Sequence, residues 1–231
     1  MRTRIFAFLI PIAALVAAPA FADPAAASCP MNEDGIATCA GPRLELGARL
    51  GVGLPLGSAF HDTSLNDTVA ADIPIQIDFG VRPDPHLFVG VYGQYALLAP
   101  AAGVCDGASC SGRDVRLGIE ALYHFRPLRR LDPWAGVGVG YEWMHTGASR
   151  DGADREVTLR GIELANVQGG LDYAVCNGVR VGPFASLSLG KFDKASATWT
   201  VEGIEHAGSA DIPNTAYHGW LTLGVRGSFD L

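Results

Sequence analysis

The fold is decided by residues 221–231, which read LTLGVRGSFDL. Apolar and polar side chains alternate along this stretch, so that Leu221 and Leu223 face one way and Arg226 faces the other. Because side chains in a β-strand have a period of two, such a strand has one apolar face and one polar face. The stretch also has the roughly 9–11 residues that a tilted strand needs to cross the hydrocarbon layer of a membrane. We therefore predict a membrane-spanning strand here.

The N-terminal residues have the pattern of an export signal. Arg2 and Arg4 precede an apolar stretch at 5–16, and the sequence AFA at 20–22 gives a small-x-small cleavage site. The apolar stretch is shorter than the roughly 20 residues that a membrane-spanning helix needs. We therefore predict that residues 1–22 are a cleaved signal peptide.

The charge balance limits the possible partners. The full chain has 17 basic and 24 acidic residues, a net charge of −7. Removal of the signal peptide takes away two arginines and no acid, which leaves 15 basic against 24 acidic residues and a net charge of −9. Nucleic-acid binding calls for a basic stripe, so we expect no nucleic-acid partner.

The five cysteines divide into two local pairs and one remainder. Cys29 and Cys39 bracket a short segment before the first predicted strand, and Cys105 and Cys110 bracket a turn-rich loop. In an oxidising compartment we expect each pair to form a local disulfide and Cys176 to remain a free thiol. Lipidation of Cys29 is the weaker alternative, because the preceding residues lack the usual leucine of a lipobox. No histidine lies at ligand spacing beside either pair, so we predict no metal site.

The alternation found at the C-terminus recurs in eight candidate strands. Each has one apolar face and one face of charged, polar or glycine residues. On the sixth strand the apolar face includes Leu159 and Val167 and is interrupted by Glu163. The predicted strands cover 43–54, 72–81, 87–97, 115–125, 134–144, 157–173, 179–189 and 217–231.

The connections between these strands alternate in length. The long ones cover 56–71, 98–114, 145–156 and 190–216, and the short ones cover 82–86, 126–133 and 174–178. Outer-membrane barrels have short periplasmic turns and longer outer loops. A soluble barrel of the lipocalin type would instead place its apolar face inside.

Aromatic residues near the strand ends also favour a membrane. Such girdles mark the two membrane–water interfaces, and here they are formed by Tyr95, Tyr123, Trp143, Tyr173 and Tyr217. We therefore predict an all-β protein, an eight-stranded antiparallel up-and-down transmembrane β-barrel, in a Gram-negative outer membrane. The barrel would occupy 42–231 and follow an N-terminal periplasmic segment at 23–41.

With these features the chain resembles the small eight-stranded outer-membrane barrels of the OmpA/OmpX type over 42–231. The most specific element is the final strand, in which Gly224 and Phe229 are similar to the glycine and the aromatic residue of the signal read by the barrel-assembly machinery. These proteins usually end in Phe or Trp, whereas this chain ends in Leu231. We expect a monomer whose partners are outer-membrane lipid and, during biogenesis, the barrel-assembly machinery.

The polar faces of the strands define the candidate site. Eight strands leave an interior just wide enough for side chains to fill. An unpaired charge buried there would cost several kcal/mol, so the inward charges must pair. We predict the following lumen-lining charges: Glu45, Arg49, Asp78, Arg116, Glu120, Glu142, Asp172 and Arg226.

Three functions compete on this sequence. The leading prediction is a structural or surface-interaction protein, not an enzyme, whose lumen is closed by charged side chains. The alternative is a narrow channel for small or hydrophobic solutes, since the inward glycines either leave an open lumen or make room for large residues. The distant alternative is a lipid-modifying enzyme that uses His145, His206 or His218 with Ser209 and Asp211. No catalytic motif supports it, so we predict no catalytic residue and no cofactor.

Overall fold

A computed structural model describes residues 42–60, 63–150, 153–201, 204–212 and 215–231. The predicted signal peptide, the predicted periplasmic segment and the predicted Cys29–Cys39 disulfide lie outside the described residues.

Eight of the ten described strands close into a barrel. The strands are β1 (Arg43–Phe60), β2 (Thr63–Ser64), β3 (Val69–Asp84), β4 (Leu87–Pro100), β5 (Ser109–His124), β6 (Leu131–Arg150), β7 (Ala153–Cys176), β8 (Val179–Val201), β9 (Ile204–Asp211) and β10 (Tyr217–Asp230). β10 pairs with both β8 and β1, which closes the ring, while β2 and β9 pair with β1 and β8 outside it. The predicted eight-stranded antiparallel up-and-down barrel is confirmed.

The only helical segment in the described part of the chain is a short 3-10 turn at Leu65–Asp67. No helix among the described residues is long and apolar enough to cross a membrane.

The outer face of the barrel is an apolar belt. Val52, Ile119 and Val137 are 55%, 60% and 58% exposed, and similar side chains follow on every barrel strand. Proteins that fold in water rarely expose an apolar surface of this extent. A closed barrel with such a belt is suited to a lipid environment, because it leaves no unpaired strand edge in the hydrocarbon.

Two aromatic pairs limit this belt on neighbouring strands. Towards the short turns, the rings of Tyr123 and Phe125 lie 5.2 Å apart edge to face. Towards the long loops, the rings of Tyr141 and Trp143 lie 4.6 Å apart. Aromatic residues with a polar edge prefer the membrane interface, so these pairs indicate the two ends of the hydrocarbon layer.

Two of the predicted long loops are instead extensions of the strands. The prediction of loops at 145–156 and 190–216 is wrong in part, since β6 continues to Arg150, β7 begins at Ala153, and β8 continues to Val201 and pairs with β9. Beyond the membrane the outward side chains need not be apolar, so the alternation fades while the backbone hydrogen bonds continue. A hairpin formed by β8 and β9 therefore projects beyond the barrel, with the rings of Trp199 and His206 stacked at 5.6 Å.

A β-bulge reverses the faces of β7. Gly140 pairs with Glu163, whereas Gly138 pairs with Asn166, so β7 has one extra residue between these pairs. Before the bulge Leu159 is buried and Ile162 is exposed, and after it Val167 is exposed. The predicted placement of Leu159 on the apolar outer face is therefore wrong, and Glu163 does not interrupt that face because it points inward. A bulge shifts the side-chain period by one residue, which a strict test of alternation cannot follow.

The outer face can be tested with a charge at two depths. Val139 lies near the middle of β6 and is 48% exposed. Replacing it with lysine, as Val139→Lys, is expected to lower the free energy of unfolding in lipid by about 2–4 kcal/mol, as for a cation at the midplane. The control is Ser111→Lys, on the outer face beyond the aromatic pairs, with an expected cost of about 0–1 kcal/mol. Urea titration of refolded protein, followed by heat-modifiable migration, measures both. Equal costs would contradict the proposed depth of the belt.

Candidate functional site: a lumen filled with ion pairs

The structure places all eight predicted charges inside the barrel. Each is at most 4% exposed, namely Glu45, Arg49, Asp78, Arg116, Glu120, Glu142, Asp172 and Arg226. They form three layers along the barrel axis, and each layer is centred on one arginine that bridges carboxylates from other strands.

The layer nearest the short turns is centred on Arg226 of β10. Its guanidinium lies 2.8 Å from Glu45 of β1 and 2.5 Å from Asp172 of β7. The indole Nε1 of Trp134 donates a second hydrogen bond to Asp172 at 3.0 Å, and Arg226 lies 5.0 Å from the Trp134 ring centre. Charge-assisted bonds of this kind compensate part of the cost of burying the ions.

A second chain of contacts extends this layer towards the short turns. Arg82 pairs with Glu45 and also contacts His124 through its Nη2, 2.8 Å from Nε2 of the ring. The other ring nitrogen of His124 lies 2.7 Å from Asp132, which also accepts a backbone hydrogen bond from Arg126. This end of the lumen is therefore filled by a connected polar network.

The middle layer is centred on Arg49, which crosses the lumen. From β1 its Nε donates to Asp78 of the neighbouring strand β3 at 2.7 Å. Its Nη2 reaches both oxygens of Glu120 on β5, at 3.0 and 3.1 Å, and its Nη1 donates to Gln168 on β7. Since β5 and β7 flank the strand opposite β1 in the ring, Arg49 joins opposite walls of the barrel.

The outer layer is centred on Arg116 of β5. Its guanidinium lies 2.9 Å from Asp114 and 3.2 Å from Glu142, and it donates to the hydroxyl of Ser188 at 3.2 Å. It also lies 5.4 Å from the ring centre of Trp220 on β10, the strand opposite β5 in the ring. This arginine too therefore extends across the lumen.

The inward glycines make room for a large side chain. A Cβ at Gly118 would lie 2.5 Å from the Tyr92 ring, and one at Gly140 would lie 2.6 Å from its hydroxyl. The Tyr92 hydroxyl donates across the lumen to Glu163. Of the two interpretations of the glycine-rich inner face, the geometry therefore favours room for side chains over an open lumen.

An apolar cluster fills the outer end of the lumen. It draws on seven of the eight barrel strands and on the 3-10 turn, through Ala59, Leu65, Val69, Leu98, Met144, Leu159, Phe192 and Trp220. Leu65 and Phe192 have no exposed surface, and Phe192 stacks on His218 at 3.9 Å. Simple alternation does not reveal this cluster, because most of its members lie beyond the predicted strands or, as Leu159 does, before the bulge that reverses the faces of β7.

Several buried charges were missed for the same reason. Asp114 lies one residue before the predicted fourth strand, and Arg82 lies one residue after the predicted second strand, yet both follow the inward phase of those strands. If each alternating pattern is extended as far as the next turn residue, it includes both Asp114 and Arg82. Glu163 was hidden by the bulge, which no simple period reveals.

The buried charges do not balance. Among the described residues nine buried carboxylates face five buried arginines and two buried histidines. Asp72 is 1% exposed, and neither of its carboxylate oxygens has a hydrogen-bond partner in the described part of the chain. Some arginines must therefore serve more than one carboxylate, as the three central arginines do.

The other predicted residues have separate positions. Cys105, in the connection between β4 and β5, forms a disulfide with Cys110 at the start of β5, with Cα atoms 5.9 Å apart. Cys176 is a free, exposed thiol. At Gly224 a Cβ would lie 2.2 Å from the carbonyl oxygen of Leu50, so a larger residue would disturb the closing strand pair.

The last two positions of the predicted assembly signal lie at the barrel end. Phe229 is 37% exposed and Leu231 is 69% exposed. Their role in assembly stays a prediction.

The three histidines of the enzyme alternative are not brought together. His218 is buried in the lumen, with Nε2 2.7 Å from Glu142. His145 lies on the outer wall, where its cross-strand neighbours are Arg113 and Thr158. His206 lies on the projecting hairpin. Within the described residues no group of three or more potential ligands is placed to hold a metal ion.

Comparison with known structures supports the fold. No family model matches the sequence, and a search of curated proteins finds no significant match. A major outer membrane protein from Thermus thermophilus is similar at a TM-score of 0.57 and 11% identity, covering 82% of this chain and 99% of that one.

Two further structures are less similar. Outer membrane protein AlkL has a TM-score of 0.48 and 15% identity, covering 84% of this chain and 94% of that one. Neisserial surface protein A has a TM-score of 0.42 and 18% identity, covering 80% and 96%. At these identities likeness concerns the fold alone. At that level the similarity to the Thermus thermophilus protein and the closed eight-stranded barrel itself confirm the predicted resemblance to small outer-membrane barrels.

The middle layer provides a test of the pairing. Arg49→Met leaves Asp78 and Glu120 buried without their shared partner, so we expect the free energy of unfolding to fall by about 3–5 kcal/mol. Adding Asp78→Asn and Glu120→Gln to this variant removes the unpaired charges and should restore most of the loss. The control is Arg43→Met, which breaks the partly exposed pair with Asp230 at 3.3 Å and should cost about 0–1 kcal/mol. Urea titration in micelles measures the free energy of unfolding of the wild type and of the three variants. A triple variant that is no more stable than Arg49→Met would contradict the assigned pairing.

Proposed function

We propose that this protein is a closed β-barrel of the Gram-negative outer membrane with a structural and surface-interaction role. The observation that carries the proposal is the set of three shared arginines inside the barrel. Arg49 and Arg116 each join strands on opposite sides of the lumen, and Arg226 of β10 joins β1 and β7 near the short turns. The barrel is thereby braced from within as well as by its backbone hydrogen bonds.

Two barriers in series support a closed lumen. An ion entering from the outer side would first meet the apolar cluster around Phe192 and Trp220, both at most 1% exposed. It would then have to displace the paired charges of the layers below. Separating one buried, hydrogen-bonded pair costs several kcal/mol, so each layer opposes passage.

The projecting β8–β9 hairpin supports the surface-interaction part of the role. β9 is exposed at every position, and among the described strands it pairs only with β8. Its other edge therefore has unpaired backbone groups, and such an edge can accept a strand from a partner. Ile204, 62% exposed, adds apolar surface at the tip.

Enzymatic activity is not part of the proposal. The histidines that it would use lie on three different surfaces, and His218 is engaged by Glu142 beneath the apolar cluster. A nucleophile needs its base within hydrogen-bond reach.

A narrow cation path is the second candidate function, and the excess of buried carboxylates favours it over an anion path. Nine carboxylates against five arginines give the lumen a negative balance, and Asp72 has no hydrogen-bond partner among the described residues. If the barrel conducts, we expect cations to pass in preference to anions.

Access of a small reagent to the lumen tests the closed barrel. Thr222→Cys places a thiol inside the lumen at a position that is 6% exposed. The background is Cys176→Ser, because Cys176 is an exposed thiol. With a membrane-impermeant methanethiosulfonate, we expect Thr222→Cys in the folded barrel to react at least about tenfold more slowly than an exposed thiol.

The matched control is Ser149→Cys, at an exposed position of the outer strand extension. Denaturation in urea should bring both variants to the same rate, which shows that the lumen thiol is intact. Equal rates in the folded barrel would overturn the closed lumen.

A further inference from the structure

Two carboxyl groups inside the barrel differ from the other buried acids of the described chain. Seven of the nine buried carboxylates accept hydrogen bonds, namely Glu45, Asp78, Glu120, Asp132, Glu142, Glu163 and Asp172. The other two are Asp72 on β3 and Asp114 on β5, which are 1% and 0% exposed. None of their four carboxyl oxygens accepts a well-formed hydrogen bond from a described residue. We call Asp72 and Asp114 the unpartnered acids.

The unpartnered acids border the apolar cluster at the outer end of the lumen. The cross-strand neighbour of Asp72 is Leu98, that of Asp114 is Met144, and both neighbours belong to the cluster. Burial in apolar surroundings without hydrogen bonds strongly disfavours an ionised carboxylate, whereas a protonated acid leaves only a neutral polar group buried. The surroundings of both acids therefore favour the protonated form.

Arg116, the cation of this layer, does not neutralise the unpartnered acids. It donates to Glu142 at 3.2 Å and lies 3.9 Å from Glu163. Its Nε lies 2.9 Å from Asp114, but neither this nitrogen nor the Asp114 oxygens have a hydrogen-bond partner, so the contact lacks hydrogen-bond geometry. One arginine thus faces four carboxyl groups, and ionising all four would leave buried charges uncompensated.

His218 does not supply a second cation. Its Nε2 lies 2.7 Å from a carboxylate oxygen of Glu142, so this nitrogen carries the hydrogen of the bond. Its Nδ1 is buried without a hydrogen-bond partner among the described residues, and a charged ring would have an unsatisfied N–H there. The ring is therefore neutral.

The other strands add no positive charge at this level. Inside the lumen β4 contributes Tyr92, whose hydroxyl donates to Glu163, and β8 contributes the hydroxyl of Ser188. β1 faces Asp72 with Gly53, where a Cβ would meet the Asp72 carboxylate and the Thr222 hydroxyl of β10. No described side chain is thus left to balance a charge on the unpartnered acids.

The contact between Asp114 and Glu142 also calls for a proton. Their carboxyl groups lie within hydrogen-bond reach of each other. An ionised carboxylate only accepts hydrogen bonds, so two carboxyl groups can share one only if either is protonated. Glu142 already accepts from three donors, which are on Arg116, His218 and Trp220. The proton therefore belongs to Asp114.

We propose that Asp72 and Asp114 form a proton-binding site inside the barrel, in which both carboxyl groups are protonated at neutral pH and Asp114 donates a hydrogen bond to Glu142. The protons come from water as the barrel folds, because an exposed aspartate is ionised at neutral pH. A metal ion is the less suitable occupant, since no group of three or more potential ligands among the described residues is placed to hold one.

The site makes the stability of the barrel depend on pH. Above about pH 4 the folded chain holds two protons that the unfolded chain releases. The free energy of unfolding therefore falls as the pH rises, until both acids ionise in the folded barrel as well. Release of the two protons adds two negative charges beside the apolar cluster, so the outer end of the lumen is the pH-sensitive part of the barrel.

Infrared spectroscopy of the refolded protein tests the site, in micelles of a detergent that has no carbonyl group. A protonated carboxyl group has a carbonyl stretching band that an ionised carboxylate lacks. We expect the wild type to show this band at neutral pH, each of Asp72→Asn and Asp114→Asn to reduce it, and the double variant to lose most of it. The matched control is Asp78→Asn, a buried carboxylate that pairs with Arg49 at 2.7 Å, and it should leave the band unchanged.

Heat-modifiable migration verifies that each variant is folded, and the two single variants replace the double variant if it does not fold. Urea titration between about pH 5 and pH 10 adds a second readout, in which the midpoint of the double variant should fall less than that of the wild type. Asparagine is the matched replacement, because it has the shape of a protonated aspartate and does not titrate.

Three results would overturn the proton-binding site. The first is the absence of the carbonyl band from the wild type at neutral pH, and the second is a band that the double variant retains in full. The third is a urea midpoint that rises with added Na⁺ or Ca²⁺ in the wild type but not in the double variant, which would assign the neutralising charge to a metal ion. The infrared band does not depend on whether the lumen conducts, so this test is independent of the closed barrel.

Discussion

A charge inside a barrel this narrow must be paired, and that requirement organises the interior. The middle layer shows how it is met, because Arg49 alone satisfies Asp78, Glu120 and Gln168 from three strands. The same sharing recurs around Arg116 and Arg226. A strand that slipped by one residue would place its charges in the apolar belt and its apolar side chains in the lumen. The ion pairs therefore fix the register of the strands as well as filling the space between them.

The outer wall is apolar where the lumen is charged, and both surfaces depend on the same alternation of side chains along the strands. Between the aromatic pairs each outward position is apolar, whereas beyond them the outward positions include Arg113 and Arg160. The strands themselves continue into water, where hydrogen bonds along the backbone and cross-strand contacts such as Trp199 on His206 replace lipid contact. One sheet thus passes through three environments, and the side chains change while the backbone pairing does not.

The sequence was sufficient to predict most of the barrel and only part of its interior. Alternation located all eight barrel strands and the inward phase of Glu45 and Arg226, because one face of each strand must be apolar in lipid. It was insufficient where that rule stops applying, as in the bulge beside Glu163 and in the strand extensions outside the membrane. Nor does alternation tell which charges pair, because the partners of Arg49 lie up to 119 residues away along the chain.

Single-channel recording of the refolded wild-type protein in a planar bilayer tests the closed lumen most directly. Folding is verified beforehand by heat-modifiable migration, and a known porin at the same protein concentration verifies insertion. The ion-pair layers and the apolar cluster predict a silent bilayer. A steady conductance that changes when Arg49 or Glu120 is replaced by glutamine would contradict this account, because ions would then pass through the layer that is held to close the barrel.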